Sequence, residues 1–194
     1  MTEKLYNTDS HMHTFTAQVL SCGMEGEHFG LVLDRTAFFP EGGGQCADTG
    51  VLICPDGARV QVLDVQEKDG RIVHVTDQAV ESGTAVEGQL DWEQRFSNMQ
   101  QHTGEHIVSG LVHATYGYDN VGFHLGREIV TMDFNGTIPA ADVPELERRA
   151  NGAVFANLPV QVTYPSSEEL KTLEYRSKLE LENDVRIVTI PGVD

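Results

Sequence analysis

At Asp91 the apolar rhythm of the chain changes, and this change most limits what the chain can fold into. Upstream, from about residue 12 to residue 90, the pattern is that of short strands. Thr14-Phe15-Thr16-Ala17-Gln18-Val19-Leu20 alternates, His28 to Asp34 is a β-rich run, and Val60 to Gln66 alternates again. Alternation places every second side chain on one face, which suits a half-buried sheet. Asp69-Gly70, set before Ile72-Val73-His74-Val75, predicts a hairpin turn. Several short strands with Gly and Asp punctuation predict a small barrel or sandwich.

Past Asp91 the period becomes helical. Asp91-Trp92-Glu93-Gln94 reads as a capping box, in which the first side chain and the one three residues on bond each other's backbone N–H. At about 100° per residue, Trp92, Phe96, Met99, Thr103, Ile107, Gly110, Leu111 and Ala114 share one stripe of a helix that runs to about Tyr116. Strands follow at 120–126 and 129–134, then a helix over about 139–157, a strand at 160–164, a short helix at 166–170 and a last strand at 185–190. The class is therefore α+β, divided near residue 90 into a β domain (1–90) and a mixed domain (91–194).

Charge excludes one way of working. The chain carries 13 Lys and Arg against 30 Asp and Glu, a formal net charge of −17, and Arg148-Arg149 is its only adjacent basic pair. A protein that lives by broad phosphate contacts shows a basic stripe instead. Any nucleic-acid contact here is expected to be local and salt-sensitive. No apolar run is long enough to cross a bilayer, so no membrane partner is expected. The N-terminus lacks the basic-then-apolar pattern of a secretion signal. Cys22, Cys46 and Cys54 form no Cys-x-x-Cys pair, which fits a reducing, cytoplasmic setting.

The chemistry concentrates in Gln101-His102-Thr103-Gly104-Glu105-His106. Histidines four apart project from one helix face and can share a divalent metal, usually zinc. They fall on the edge of the apolar stripe, with Arg95 and Ser109 nearby. Two imidazoles are half a zinc site. The other donors in the chain are Glu105, His124, Asp133 and the three cysteines, and none stands at a convincing spacing. Asp133 can also orient an imidazole from outside the coordination sphere. Glu105 can polarise a water or can be a solvated helix position. The same residues spell His-x-x-Glu-His, the inverzincin metallopeptidase pattern, for which Glu180 or Glu182 would supply the distant ligand. Upstream, Glu41-Gly42-Gly43-Gly44-Gln45 is a loop whose backbone N–H groups can meet an anion. It lacks the Lys-Ser/Thr of a nucleotide-triphosphate loop.

Taken in order, Phe38-Phe39-Pro40-Glu41-Gly42-Gly43-Gly44-Gln45, Asp48-Thr49-Gly50, Gln101-His102-Thr103-x-x-His106, Gly122-Phe123-His124-Leu125-Gly126 and Thr131-Met132-Asp133-Phe134 resemble the AlaX family and the related editing domain of alanyl-tRNA synthetase. The resemblance runs from about residue 14 to the end. It implies an N-terminal β-barrel followed by an α/β editing domain, with the histidine-bearing helix packed on an antiparallel sheet. It implies zinc-dependent hydrolysis of mischarged tRNA(Ala), chiefly Ser-tRNA(Ala) and in some members the glycyl form, as a trans-editing factor. In that family zinc is held by a His-x-x-x-His pair, matched by His102 and His106, and by a Cys-x-x-x-His pair. No cysteine follows Cys54 and no histidine follows His124, so the second pair is expected beyond Asp194 and this chain is expected to lack it, with zinc occupancy and deacylase activity expected of the full-length parent. Glu105, Gln101 and Thr103 are the candidate catalytic residues. Gly42, Gly43, Gly44, Gln45, His124 and Asp133 are the candidate contacts to the acceptor end of tRNA(Ala). The same fold kept as a non-catalytic tRNA- or protein-binding module is the alternative.

Overall fold

The computed structural model describes residues 2–126, 129–173 and 185–193. Glu180 and Glu182, the carboxylates named for a peptidase site, lie outside the described residues. The chain forms two compact units, Met1–Gln100 with His124–Ile129, and Gln101–Phe123 with Val130–Asp194.

The first unit is built on a closed barrel. A two-residue strand β1 (Glu3–Lys4) pairs in parallel with β4 (Arg35–Thr36). The barrel strands are β2 (Thr14–Glu25), β3 (His28–Leu33), β5 (Gly50–Ile53), β6 (Arg59–Lys68), β7 (Arg71–Thr76) and β8 (Ala85–Leu90). They close in the order β2-β3-β7-β6-β5-β8, each neighbour antiparallel. Closure removes the free edges that an open sandwich would leave. The alternating residues Phe15, Ala17, Val19, Val60 and Val62 point inward, and Val65 is buried with them because the register shifts between Val62 and Asp64. Asp69 and Gly70 turn the β6–β7 hairpin with φ of 50° and 71°, as a two-residue turn of primed type requires. Phe38 from the Phe-Phe-Pro motif fills the middle, edge-on to Phe15 at a ring separation of 5.7 Å. Gly88 is what admits that pair, since a Cβ there would lie 2.3 Å from the Phe15 ring.

A histidine is among the polar side chains buried in this unit. His74 is completely buried. Its Nδ1 lies 3.1 Å from the Leu31 carbonyl and its Nε2 lies 2.8 Å from the Thr36 hydroxyl. A carbonyl only accepts, so Nδ1 carries the proton and Nε2 accepts from Thr36. The Thr36 hydroxyl in turn accepts the Phe38 N–H. Burial pushes the imidazole pKa from 6.5 down to about 4. The unfolded chain then takes up a proton that the folded chain refuses, so the stabilisation is complete above the unfolded value and is lost as the pH falls from 6.5 toward 4. That window is worth about 3 kcal/mol. NMR of the ring is expected to show His74 neutral at pH 5; titration near the ordinary value would contradict this packing.

Helix α1 (Trp92–Tyr116) begins where the period change places it. Only half of the capping box forms. Asp91 Oδ1 accepts the Gln94 N–H at 3.2 Å, but the Gln94 side chain accepts from Thr49 Oγ1 at 2.9 Å instead of returning to Asp91. The Asp91 N–H goes to the Thr49 carbonyl. The apolar stripe also differs from the reading by period. Phe96 and Ala114 are exposed, and the buried residues of the first turns are Arg95 and Asn98. The cause is an ion pair. The Arg95 guanidinium grips the Asp48 carboxylate through Nε at 3.0 and 2.9 Å and through a second nitrogen, which rotates the apolar ring at position 96 toward water.

In the second unit, Ile107, Leu111 and Val112 of α1 pack with Leu146 of α2 (Val143–Phe155) and with Ile190. Phe134 of β10 (Val130–Phe134) joins them from the pair it makes with β9 (Asn120–Leu125). β11 (Gln161–Thr163) pairs antiparallel with β12 (Ile187–Thr189). Between them in sequence lies the one-turn helix α3 (Ser167–Leu170), capped by Ser166 and Glu169 in a complete capping box. The class is α+β, with a small barrel, paired antiparallel strands and one long histidine-bearing helix. No helix among the described residues is long and apolar enough to cross a membrane.

Candidate metal centre

His102 and His106 face the same way from α1, as their spacing dictates. Their rings stack at 5.2 Å between centroids with 16° between planes. Phe123 from β9 stacks on the other histidine, His102, at 5.3 Å and 25°. Both histidines are half-buried, the setting in which an imidazole is oriented yet reachable.

Glu105 lies between them in sequence and is buried at 8% exposure, so it is not a solvated helix position. The cause is a polar network. Ser109 Oγ donates to Glu105 Oε1 at 2.6 Å, and Asn120 Nδ2 donates to the same oxygen at 2.6 Å. Asn120 also reaches Ser109 Oγ at 3.0 Å, while its own carbonyl oxygen accepts the Gly122 N–H at 3.1 Å. Two good donors on one oxygen hold the carboxylate in place. One ligand atom each from His102, Glu105 and His106 lies within 4.8 Å of the others. Two imidazoles and a carboxylate on one helix face can hold a divalent metal ion.

The remaining candidates fall as follows. Gln101 is exposed and Thr103 half-buried, one residue to either side of His102. Asp133 on β10 is exposed, with its carboxylate over Gly122; a Cβ at Gly122 would lie 2.6 Å from Asp133 Oδ2. That contact explains the glycine in Gly122-Phe123-His124. His124 is exposed near the end of β9, beside Leu125, in the first unit.

The glycine loop also belongs to the first unit. Gly42 and Gln45 exchange their N–H and carbonyl groups at 3.1 and 3.0 Å, and Gly43 and Gly44 turn between them with φ of 61° and 83°. The Gly44 carbonyl accepts the Leu125 N–H, and Gln45 bridges Leu125 in parallel. Gly42 and Gln45 thus use their N–H groups within the turn. Those of Gly43 and Gly44 enter none of these bonds.

The Asp48-Thr49-Gly50 motif is structural. Asp48 clamps Arg95 and accepts the Phe39 N–H at 2.6 Å, and Thr49 ties down the start of α1, its carbonyl accepting the Asp91 N–H and its hydroxyl donating to the Gln94 side chain. Gly50 lets β5 approach β8, since a Cβ there would sit 2.2 Å from the Gln89 carbonyl oxygen. Sequence reasoning did not find the Arg95–Asp48 pair, the Asn120–Glu105 bond or the Phe123 stack. Each joins residues far apart in the chain, and no periodicity carries that signal.

A family model described as tRNA synthetases class II (A) matches residues 6–94. The alanyl-tRNA editing protein AlaX-L of Pyrococcus horikoshii is 34% identical over 199 residues, which cover all of this chain and 49% of that protein. AlaX-M of Saccharolobus solfataricus is 34% identical over 203 residues, covering all of this chain and 84% of its own length. The chain belongs to the AlaX family of alanyl-tRNA editing proteins. An alanine–tRNA ligase of Natronomonas pharaonis is 40% identical over 177 residues, 87% of this chain but 19% of the ligase. The chain spans about half the length of AlaX-L.

Proposed function

We propose that this chain hydrolyses the ester of tRNA(Ala) mischarged with serine, as a zinc-dependent trans-editing deacylase of the cytoplasm. The observation that carries the reading is the stacked His102–His106 pair with Glu105 inside one cluster of donors, in a chain of the AlaX family. The donor set fits zinc, which takes imidazole nitrogen and carboxylate oxygen readily. His102 and His106 would hold the ion. Bound there, zinc supplies a Lewis acid that polarises an ester carbonyl or a water.

The chain's own residues do the rest. Ser109 and Asn120 hold the Glu105 carboxylate, the group that would take a proton from the attacking water. Water oxygen bonds to the ester carbonyl carbon, and the bond to the terminal ribose oxygen breaks. The proton returns to that oxygen as the adenosine leaves. Thr103 and Gln101 carry the hydroxyl and amide suited to a serine side chain. A pocket that bonds this hydroxyl rejects alanine, which would leave buried polar groups unpaired. Gly43 and Gly44 offer amides to the acceptor end, with Gly42 and Gln45 shaping the turn, and His124 and Asp133 are further substrate contacts.

The test is hydrolysis of Ser-tRNA(Ala) against Ala-tRNA(Ala), with zinc present and after chelation. Faster loss of serine, abolished by the chelator and restored by zinc, is the expected result. A zinc-loaded protein that binds tRNA but releases no serine would instead support the non-catalytic module.

A further inference from the structure

Four aromatic rings gather where the barrel hands over to α1. Trp92 is their hub, with ring centroids 5.3 Å from His13, 6.0 Å from His11 and 5.6 Å from Phe96. The planes are tilted by 41°, 50° and 32°, so no pair lies flat and the rings do not cover one another's faces. His11, His13 and Phe96 are exposed and Trp92 is half-buried. None of the four belongs to the buried core of the barrel. An i,i+4 pair such as Trp92 and Phe96 ordinarily marks the core face of a helix. Here the Arg95–Asp48 clamp has turned Phe96 outward, to 41% exposure.

The cluster is held in place. Arg95 donates to the Ser10 carbonyl at 3.0 Å, the Leu90 N–H donates to the His13 carbonyl at 2.9 Å, and the His11 N–H donates to Asp9 Oδ1 at 2.9 Å. Fixed, exposed rings lose little entropy when a flat ligand settles on them.

Charge decides the kind of ligand. Asp9, Asp91 and Glu93 stand in the same segments, and the whole chain carries −17, so phosphates are repelled from this surface. An RNA can be held here through its bases, because every base presents a π face that stacks on aromatic side chains without needing ion pairs. We propose that His11, His13, Trp92 and Phe96 form a stacking platform for an unpaired nucleobase of single-stranded RNA. The proposal rests on tRNA being the substrate, and it names the unpaired 3′ end as the occupant.

Trp92 is the only tryptophan, so its fluorescence reports the platform directly. The protein is titrated with the single-stranded tetranucleotide ACCA and with an abasic oligomer of equal length. ACCA is expected to quench Trp92, with the abasic oligomer silent. Phe96→Ala and His13→Ala, checked for an unchanged melting temperature, are each expected to weaken ACCA about ten-fold, the loss of one stacked ring. Raising salt from ~50 to ~200 mM is expected to change the affinity by less than about three-fold, the dependence of one phosphate contact or fewer, in place of the salt-sensitive contact expected from charge alone. No quenching by ACCA, or equal quenching by the abasic oligomer, overturns the platform. Deacylation is read separately: hydrolysis without quenching rejects the platform and spares the editing reading, and quenching without hydrolysis does the reverse.

Discussion

Asp48→Ala is expected to lower the unfolding free energy by about 3–5 kcal/mol, the cost of breaking a buried ion pair on one side only. The Asp48 side chain is 1% exposed and that of Arg95 4%. Removing the carboxylate leaves a guanidinium that cannot discharge, in a site closed to water. It also strips the acceptor from the Phe39 N–H, and the remaining Arg95 contacts are the Ser10 and Ala37 carbonyls, which neutralise no charge. Against the ~5–15 kcal/mol of an ordinary domain, such a loss removes much of the folded population. The paired change Asp48→Leu with Arg95→Met is expected to recover most of it, because two apolar groups leave no stranded charge. Urea unfolding followed by circular dichroism measures both. A loss below about 1 kcal/mol for Asp48→Ala would mean that the pair is solvated.

His102→Ala and His106→Ala are the second pair of changes with a large expected effect. Each removes one of two imidazoles from the donor cluster and is expected to abolish stoichiometric metal binding, with hydrolysis of Ser-tRNA(Ala) falling by more than about 100-fold. Both rings are half-buried and outside the buried core of their unit, so melting temperature without metal is expected to move little. Elemental analysis of the purified variants reads the metal and a deacylation assay reads the activity. Full metal content in either variant would show that the ion sits elsewhere, and full activity in both would detach the reaction from this helix face.

Much of this was legible in the chain. Alternation at residues 14–20 identified the inward face of β2, because a strand's period of two admits one buried set, and in β6 it held for Val60 and Val62 until a register shift between Val62 and Asp64 turned Val65 inward. Asp69-Gly70 located a hairpin that is present, since few residues tolerate positive φ at both turn positions. The helix and its histidine pair followed from a period and a spacing, both local properties of the backbone. The strands Gly50–Ile53 and Ala85–Leu90 were not read singly. They are short and interrupted by glycine, and their strand character comes from closing the barrel between β6 and β2. Phe96 was misplaced for a related reason: period alone treats Arg95 as the polar edge, but a distant carboxylate made it the buried side.

The sequence by itself determined the strand and helix periods, the break at Asp91, the shared face of His102 and His106, and the order of motifs that places the chain in the AlaX family. These depend on residues near one another in the chain and on backbone geometry that repeats. Only the tertiary structure decided that the sheet closes, that Asp48 buries Arg95, that Asn120 and Ser109 pin Glu105, and that Phe123 stacks on His102. Those contacts join positions up to dozens of residues apart. Their energy comes from excluding water around paired charges and rings, which no local pattern encodes.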